Sequence, residues 1–273
     1  MQITRFITST NEWENYLYCW PLVAQVTKKL FGCETTLGFI TTRSNEDPLV
    51  NYFRKFGEVQ IFAPIDGIPS ANQAKVTRLY LASSKPYGDV CCINDVDILP
   101  LQNNFLIGCL SEAPEDSLVA IGANAFLNTV DSGKFPMIYT TAKSLTFLEL
   151  INPMRMPYSV LLNSWKGLRK FDGREDLSND SKAFSDESLL RLLIDRWDGK
   201  DRIFHRDRNF IGYRAVERID RARWHIDRNK LENMWYIDAH LPRPLNRKYF
   251  MVREIAYFFG VDDYIGEIDA LKK

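Results

Sequence analysis

Asp95 and Asp97, separated only by Val96, are the two side chains in this sequence best placed to act together. Residues i and i+2 of an extended chain point to the same side, so the two carboxylates face a common point. They repel each other there unless a cation sits between them. Ligands offering only oxygen suit a hard ion such as Mg2+ or Mn2+, and such an ion commonly completes its shell with phosphate oxygens. The first expectation is therefore a metal site that holds a diphosphate. The plainer one is a solvated Asp-X-Asp turn.

Other candidates lie on either side of this pair. Lys75 and Arg78 are three apart on an expected helix and share a face. They can neutralise a diphosphate or hold a base and ribose, or they can form an ordinary solvated basic face. Ser185-Asp186-Glu187-Ser188 precedes an apolar run and reads as a helix start, with Ser185 as its cap. Asp186 or Glu187, kept ionised by the helix dipole, can also serve as a general base for an attacking hydroxyl. His240 stands in Tyr-Ile-Asp-Ala-His-Leu-Pro-Arg-Pro and can reach back to a metal held by the aspartates, since imidazole binds Mn2+ as well. Arg243 and Lys248 can meet phosphate charge. His205 and His225 sit among Arg and Asp and read as surface ion-pairing groups. Trp165 and Trp224 suit either core packing or stacking on a ring.

Some regular scaffold must present these groups. Val90 to Ile93 is a continuous apolar run, which predicts a fully buried parallel strand ending just before the aspartates. Gln2 to Thr8, Glu34 to Thr42 and Glu58 to Ala63 read as three further strands. Between them fall a helix over Glu12 to Phe31, kinked or restarted at Pro21, a short helix from Asp47-Pro48 and a helix capped by Ser70. Such alternation predicts an α/β fold with a mostly parallel sheet flanked by helices on both faces. Ligands of such sheets bind beyond the carboxyl ends of the strands, where Thr8 to Asn11 and Asp95 to Asp97 both lie. Later come an expected strand at Leu118 to Gly122, a turn at Gly122-Ala123-Asn124, an extended piece at Lys134 to Tyr139 and a helix over Thr141 to Leu150. Tyr158 to Trp165 has no clear period, and Lys166 to Lys182 reads as a loop. Arg202 to Lys230 reads as an ion-paired surface, and Leu245 to Gly260 as a closing amphipathic helix with Tyr249, Phe250, Ile255, Phe258 and Phe259 inward.

Composition narrows the class. Of 273 residues, 45% are apolar and 26% charged, and 35 basic residues balance 35 acidic ones. A net charge of zero gives no nucleic-acid-seeking surface. Five cysteines with no Cys-X-X-Cys spacing suit reduced thiols. No apolar run approaches the length of a membrane span and no signal peptide is evident, so a cytoplasmic protein is expected.

In this order, Thr8-Ser9-Thr10-Asn11, the helix with Lys75 and Arg78, Asp95-Val96-Asp97, Gly133-Lys134-Phe135-Pro136-Met137, Ser185-Asp186-Glu187 and His240 resemble a GT-A fold glycosyltransferase. The likeness is to small stand-alone transferases of bacteria and large DNA viruses. It spans most of the chain and rests on an ordered set of short motifs. It implies one continuous domain, with a nucleotide-sugar-binding half at 1–105 and an acceptor-binding half at 106–273. It implies a UDP- or GDP-sugar donor, a carbohydrate acceptor and Mn2+ or Mg2+. By that resemblance Asp97 ligates the metal, Asp95 the metal or the ribose, and His240 is a late third ligand. Thr8, Ser9 and Thr10 line the nucleotide pocket, and Arg78 or Arg243 helps neutralise the departing diphosphate. Asp186 deprotonates the acceptor in an inverting reaction, the course favoured over retention. A sugar nucleotidyltransferase is the alternative, although Ser9-Thr10-Asn11-Glu12 lacks the glycine-rich loop expected of one. A nucleotide- or glycan-binding module without activity is the non-enzymatic alternative.

Overall fold

The computed structural model describes residues 1–122, 134–168, 186–207 and 217–272. The chain runs β1 (Arg5–Asn11), α1 (Glu14–Leu17), α2 (Cys19–Phe31), β2 (Glu34–Ile40), α3 (Pro48–Arg54), β3 (Glu58–Phe62), α4 (Ser70–Ser84) and β4 (Val90–Ile93). It continues with β5 (Ile98–Pro100), α5 (Asn104–Ser111), β6 (Leu118–Ile121), β7 (Thr140–Lys143), α6 (Ser144–Ile151), α7 (Tyr158–Leu168) and α8 (Asp186–Arg196). The last elements are β8 (Ile203–Arg206), β9 (Glu217–Ile219), α9 (Arg228–Glu232), β10 (Tyr236–His240), α10 (Leu245–Phe258) and α11 (Ile265–Leu271).

Seven strands form the central sheet in the order β3-β2-β1-β4-β7-β6-β8. β1 pairs in parallel with β2 and β4, β2 with β3, and β6 with β8, whereas β7 is antiparallel to both β4 and β6. The fold is thus the expected α/β arrangement, a mostly parallel sheet flanked by helices. β6, β7 and β8 all follow residue 105, so this one sheet draws strands from both sides of that position. Alternating side chains feed two core layers. Phe6 and Cys92 enter one with α2 and α10, while Ile7, Cys91 and Ile93 enter the other with α4, α6 and α8. The five cysteines are free and buried.

The order 3-2-1-4 reverses between β1 and β4, and such a switch point opens a crevice at the strands' carboxyl ends. α4 forms one wall of it. Its close packing needs Gly38 of β2, where a Cβ would come within 2.8 Å of Thr77 and 2.9 Å of Leu81. A second sheet, β5-β10-β9, closes the other side.

Several local expectations change. β1 runs on to Asn11, so Thr8 to Asn11 lies within the strand instead of after it. The first helix is interrupted at Tyr18, and α2 begins at Cys19, which leaves Pro21 in a first turn where its missing N–H has no helical partner to lose. Asp47 caps α3 by accepting from the Leu49 N–H at 2.9 Å. Ser70 is not a cap but the first residue of α4, and its Oγ accepts from Asn11 Nδ2 at 3.0 Å. Thr141 to Lys143, read as the start of a helix, belong to the strand β7, whereas Lys134 to Tyr139 contains no strand. Lys166 lies in the helix α7. Phe250 and Phe258 are not on the core side of α10 but are 74% and 46% exposed, because Val252 and Ala256 turn inward instead. Residues 123, 124, 133, 169–182 and 185, which carry parts of the expected turn, motif, loop and cap, lie outside the described residues.

Candidate active site

Asp95 and Asp97 lie on a turn that leaves β4 and becomes β5. The Asn94 N–H donates to the Ile7 carbonyl at 3.0 Å, extending the β1–β4 ladder by one residue. The Ile98 N–H then donates to the Asp95 carbonyl at 3.2 Å, and Asn94 Nδ2 to the Ile98 carbonyl at 2.9 Å. Asn94 is fully buried, so this side-chain bond pins the turn from beneath. β5 next pairs antiparallel with β10 in a register that sets His240 opposite Ile98. That places His240 beside Asp97 across 143 residues of sequence, with Nε2 3.2 Å from Oδ2.

The surrounding cleft has a volume of about 850 Å3. β1 supplies Ser9, Thr10 and Asn11 to its lining, α4 supplies Lys75 and Arg78, and α8 supplies Asp186 and Glu187. Asp95, Asp97, Lys134, Arg221, His240 and Arg243 complete the charged set. Among the described residues, five lysines and arginines therefore face four carboxylates before His240 is counted.

Each carboxylate already has a cationic neighbour. Arg78 is 3% exposed and bridges two acids, with Nη1 2.6 Å from Asp95 Oδ1 and Nη2 bonded to Asp186 Oδ2. Burial works against charge on Arg78, and the Asp95 and Asp186 carboxylates more than reverse it, so its pKa is raised. Asp95 keeps 40% of its side-chain surface open to the cleft while its other sides are enclosed. Desolvation is the largest influence on its carboxyl, and with the nearby Asp97 and Asp186 it outweighs Arg78 and pushes the pKa up. Asp97 is only 5% exposed, and its Oδ2 meets Arg221 Nη1 at 3.0 Å, Arg243 Nε at 3.1 Å and His240 Nε2 at 3.2 Å. Arg243 also donates to the Tyr16 hydroxyl and lies over its ring. Burial pushes the Tyr16 phenol up to about 12, although Arg243 opposes the shift.

Most candidates from the sequence thus meet in one place, with corrections. Thr8 is fully buried and not among the lining residues, and Ser9 spends its hydroxyl on the Ala74 carbonyl. Thr10 reaches the lining but is 2% exposed and donates to the Asn11 carbonyl at 3.2 Å. Lys75 lines the cleft and makes no ion pair among the described residues. Lys248 is exposed and outside the lining. Trp165 is a core residue, and Trp224 packs on the core with Nε1 bonded to the Met251 carbonyl at 2.8 Å. His205 is exposed on β8, as its sequence context suggested, with its ring 6.4 Å from that of Phe135, and partial desolvation together with Arg191 lowers its pKa.

Asp95 and Asp97 are both paired with arginine in this cleft, and His240 sits beside Asp97. Among the described residues no three His, Cys, Asp or Glu side chains are grouped to hold a metal. The arginines occupy the carboxylates. The donor types still suit a hard divalent ion, because Asp97 Oδ2 and His240 Nε2 already face one point and Asp95 opens on the same cleft.

Sequence reasoning missed Arg221 and Asn94. Arg221 stands in Arg-Ile-Asp-Arg-Ala-Arg, whose Arg/Asp density reads as solvated surface, yet it reaches Asp97 from the far side of the cleft. The neighbouring Arg218 likewise pairs with Asp238, whose side chain is fully buried, at 2.7 Å. Nothing in the spacing marks either arginine. Asn94 does carry a signal, a polar residue closing an apolar strand directly before Asp-Val-Asp.

No family model matches the chain, and no curated protein does. Solved structures to which it is similar include a galactosyltransferase, LgtC, with donor and acceptor sugar analogues, at 10% identity and a TM-score of 0.43 over 86% of each chain. Another is the glycosyltransferase GlyE of Streptococcus pneumoniae TIGR4, at 10% identity and a TM-score of 0.44, covering 76% of this chain and 46% of that one. A third is 4-diphosphocytidyl-2C-methyl-D-erythritol synthase, at 9% identity and a TM-score of 0.35, covering 61% of this chain and 86% of that one. No helix among the described residues is long and apolar enough to cross a membrane.

Proposed function

We propose that the cleft binds a nucleoside-diphosphate sugar, a UDP- or GDP-sugar first, and transfers the sugar to a hydroxyl of a carbohydrate acceptor. One observation carries this reading. At the switch point of the sheet, the Asp95-Val96-Asp97 turn meets a wall of arginine and lysine that outnumbers the cleft's carboxylates. A diphosphate is a ligand that such a charge balance suits.

Asp95, Asp97 and His240 would hold Mn2+ or Mg2+, which when bound supplies positive charge against the departing diphosphate. Lys75, Arg78, Arg221 and Arg243 add charge from the chain itself. In the transfer, the acceptor oxygen forms a bond to the anomeric carbon while that carbon's bond to the diphosphate oxygen breaks. The electron pair leaves with the nucleoside diphosphate, and the hydroxyl proton passes to a base. Asp186 is buried, at 8% side-chain exposure, whereas Glu187 is 30% exposed to the cleft, so Glu187 is the better candidate base for an inverting course.

The test is incubation with Mn2+ and UDP-, GDP-, CMP- and dTDP-sugars, read by thermal shift and by slow release of nucleoside diphosphate. Stabilisation by one donor class together with that release supports the reading. Pyrophosphate release from a nucleoside triphosphate and a sugar 1-phosphate would replace it with nucleotidyl transfer. Nucleotide binding without either reaction would replace it with a binding module.

A further inference from the structure

We infer that Arg221 and Arg243 couple the divalent ion to the nucleotide, by occupying Asp97 in the unliganded cleft and moving onto the diphosphate when it binds. The inference rests on reading the cleft as a nucleotide-sugar site, and adds to it a rule about how the two ligands bind.

The argument starts from one oxygen atom. Asp97 Oδ2 has Arg221 at 3.0 Å, Arg243 at 3.1 Å and His240 at 3.2 Å, on a carboxylate 5% exposed. A divalent ion approaching that carboxylate alone meets two guanidinium charges in direct contact with its ligand. It must displace at least one of them, and it is repelled by both. A diphosphate reverses the balance, because its oxygens match the guanidinium fork and carry more charge than one carboxylate. Each ligand therefore clears the way for the other.

The two arginines are more open to this exchange than Arg78, with Arg243 also held by the Tyr16 hydroxyl and ring. Arg78 is 3% exposed and fixed between Asp95 and Asp186. Arg221 and Arg243 keep 27% and 25% of their side-chain surface exposed. Arg221 follows β9, and Arg243 follows β10, so both approach the cleft from the small sheet. Lys75 stands on the opposite wall with no ion pair among the described residues, and offers the incoming phosphate its first charge.

The experiment measures Mn2+ binding from the electron paramagnetic resonance of free Mn2+, with the protein alone and with UDP or GDP present. The association of Mn2+ with each free nucleotide is subtracted from a separate titration. In the wild type, the nucleotide that binds should raise Mn2+ affinity about tenfold beyond that control, and Mn2+ should raise nucleotide affinity by the same factor, as linkage requires. Arg221→Gln and Arg243→Gln should each tighten Mn2+ binding in the absence of nucleotide, weaken nucleotide binding and reduce the coupling. Asp97→Asn should remove Mn2+ binding in every background, which locates the ion. Arg221→Lys keeps the charge without the fork and should retain part of the coupling, and circular dichroism checks that each variant is folded. Nucleotide-free Mn2+ affinity that is unchanged or weaker in both glutamine variants, while the wild type still binds nucleotide, overturns the coupling alone. Failure of the wild type to bind either nucleotide with Mn2+ overturns the donor-site reading, and the coupling falls with it.

Discussion

Arg78 on α4 and Asp186 at the start of α8 are 108 residues apart in sequence and share a buried, hydrogen-bonded ion pair. The other arm of Arg78 holds Asp95. One guanidinium thus ties the Asp-Val-Asp turn to α8 and α4, and its loss would leave two acids facing each other in a poorly solvated place. Replacing Arg78 by Met should cost about 3–5 kcal/mol of stability, as breaking a buried pair does. Urea unfolding of Arg78→Met, Asp186→Leu and the double variant should show the double losing less than the sum of the singles. Additive losses would mean that the pair does not exist in solution.

Asp97 should be essential for turnover. It lies under two arginines and is 4% exposed, so Asp97→Ala would leave guanidiniums unpaired and confuse folding with function. Asp97→Asn keeps the shape and removes the charge. The expected result is a folded protein whose Mn2+-dependent release of nucleoside diphosphate drops by about 100-fold or more. Equal rates in the two proteins would end the assignment.

Glu187 offers a sharper view of the chemistry. Glu187→Gln should slow transfer to acceptor while nucleotide binding, read by calorimetry, stays close to wild type. Asp186→Asn should instead disturb binding, since its partner is Arg78. Proton NMR of the product's anomeric centre checks the course of the reaction. Inversion agrees with a base at Glu187, and retention removes that role.

Gly38 links packing to binding. A methyl group there would meet the Thr77 and Leu81 side chains of α4 at 2.8 and 2.9 Å, so those side chains or the helix that carries them must shift. Gly38→Ala should cost about 1–3 kcal/mol. Because α4 also carries Lys75 and Arg78, nucleotide affinity should fall along with the thermal midpoint. A destabilised variant that binds nucleotide normally would show that the shift does not reach the cleft.

At the opposite end of the sheet, Glu58 accepts from Arg5 at 2.7 Å and from Lys85 at 2.7 Å. Burial acts to raise the Glu58 carboxyl, but Lys85, Gln60 and Arg5 outweigh it and hold the pKa below the usual range. Lys85 is the more enclosed partner, and desolvation lowers its own pKa despite Glu58, so the gain from pairing is read at the carboxylate. A depressed carboxylate stabilises the fold above its unfolded pKa and loses that contribution as pH falls through the folded value. Glu58 keeps 38% of its side-chain surface exposed, and solvent screening limits the effect to about 1 kcal/mol or less. Wild type should thus exceed Glu58→Gln in stability at pH 7, and the gap should close towards pH 3. A gap that persists in acid would remove the carboxylate from the account.

Much of the scaffold was legible because it depends on local pattern. The apolar run Val90 to Ile93, bounded by Gly88 and Pro100, suits a buried strand, and strand–helix alternation through the first hundred residues points to a parallel sheet. The same periodicity could not resolve Thr140 to Lys143. There a four-residue strand runs directly into a helix, and partners on β4 and β6 decide the conformation. On α10, aromatic residues satisfied the apolar pattern as well as Val252 and Ala256 did, and only packing chose between them.

By itself, the sequence placed two carboxylates just past the end of a buried strand, because an apolar run and the polar residues that close it act within a few residues. The turn that carries them, and not an extended i and i+2 spacing, sets how they face the cleft. It also placed the basic pair of α4 before them and a histidine late in the chain. Tertiary structure alone decided what those groups face. The β5–β10 register brings His240 to Asp97, α8 brings Asp186 to Arg78, and the segment after β9 brings Arg221 to a carboxylate more than a hundred residues away. Charge acts through space, and a charge's partner is set by how the chain closes on itself, which no local pattern records.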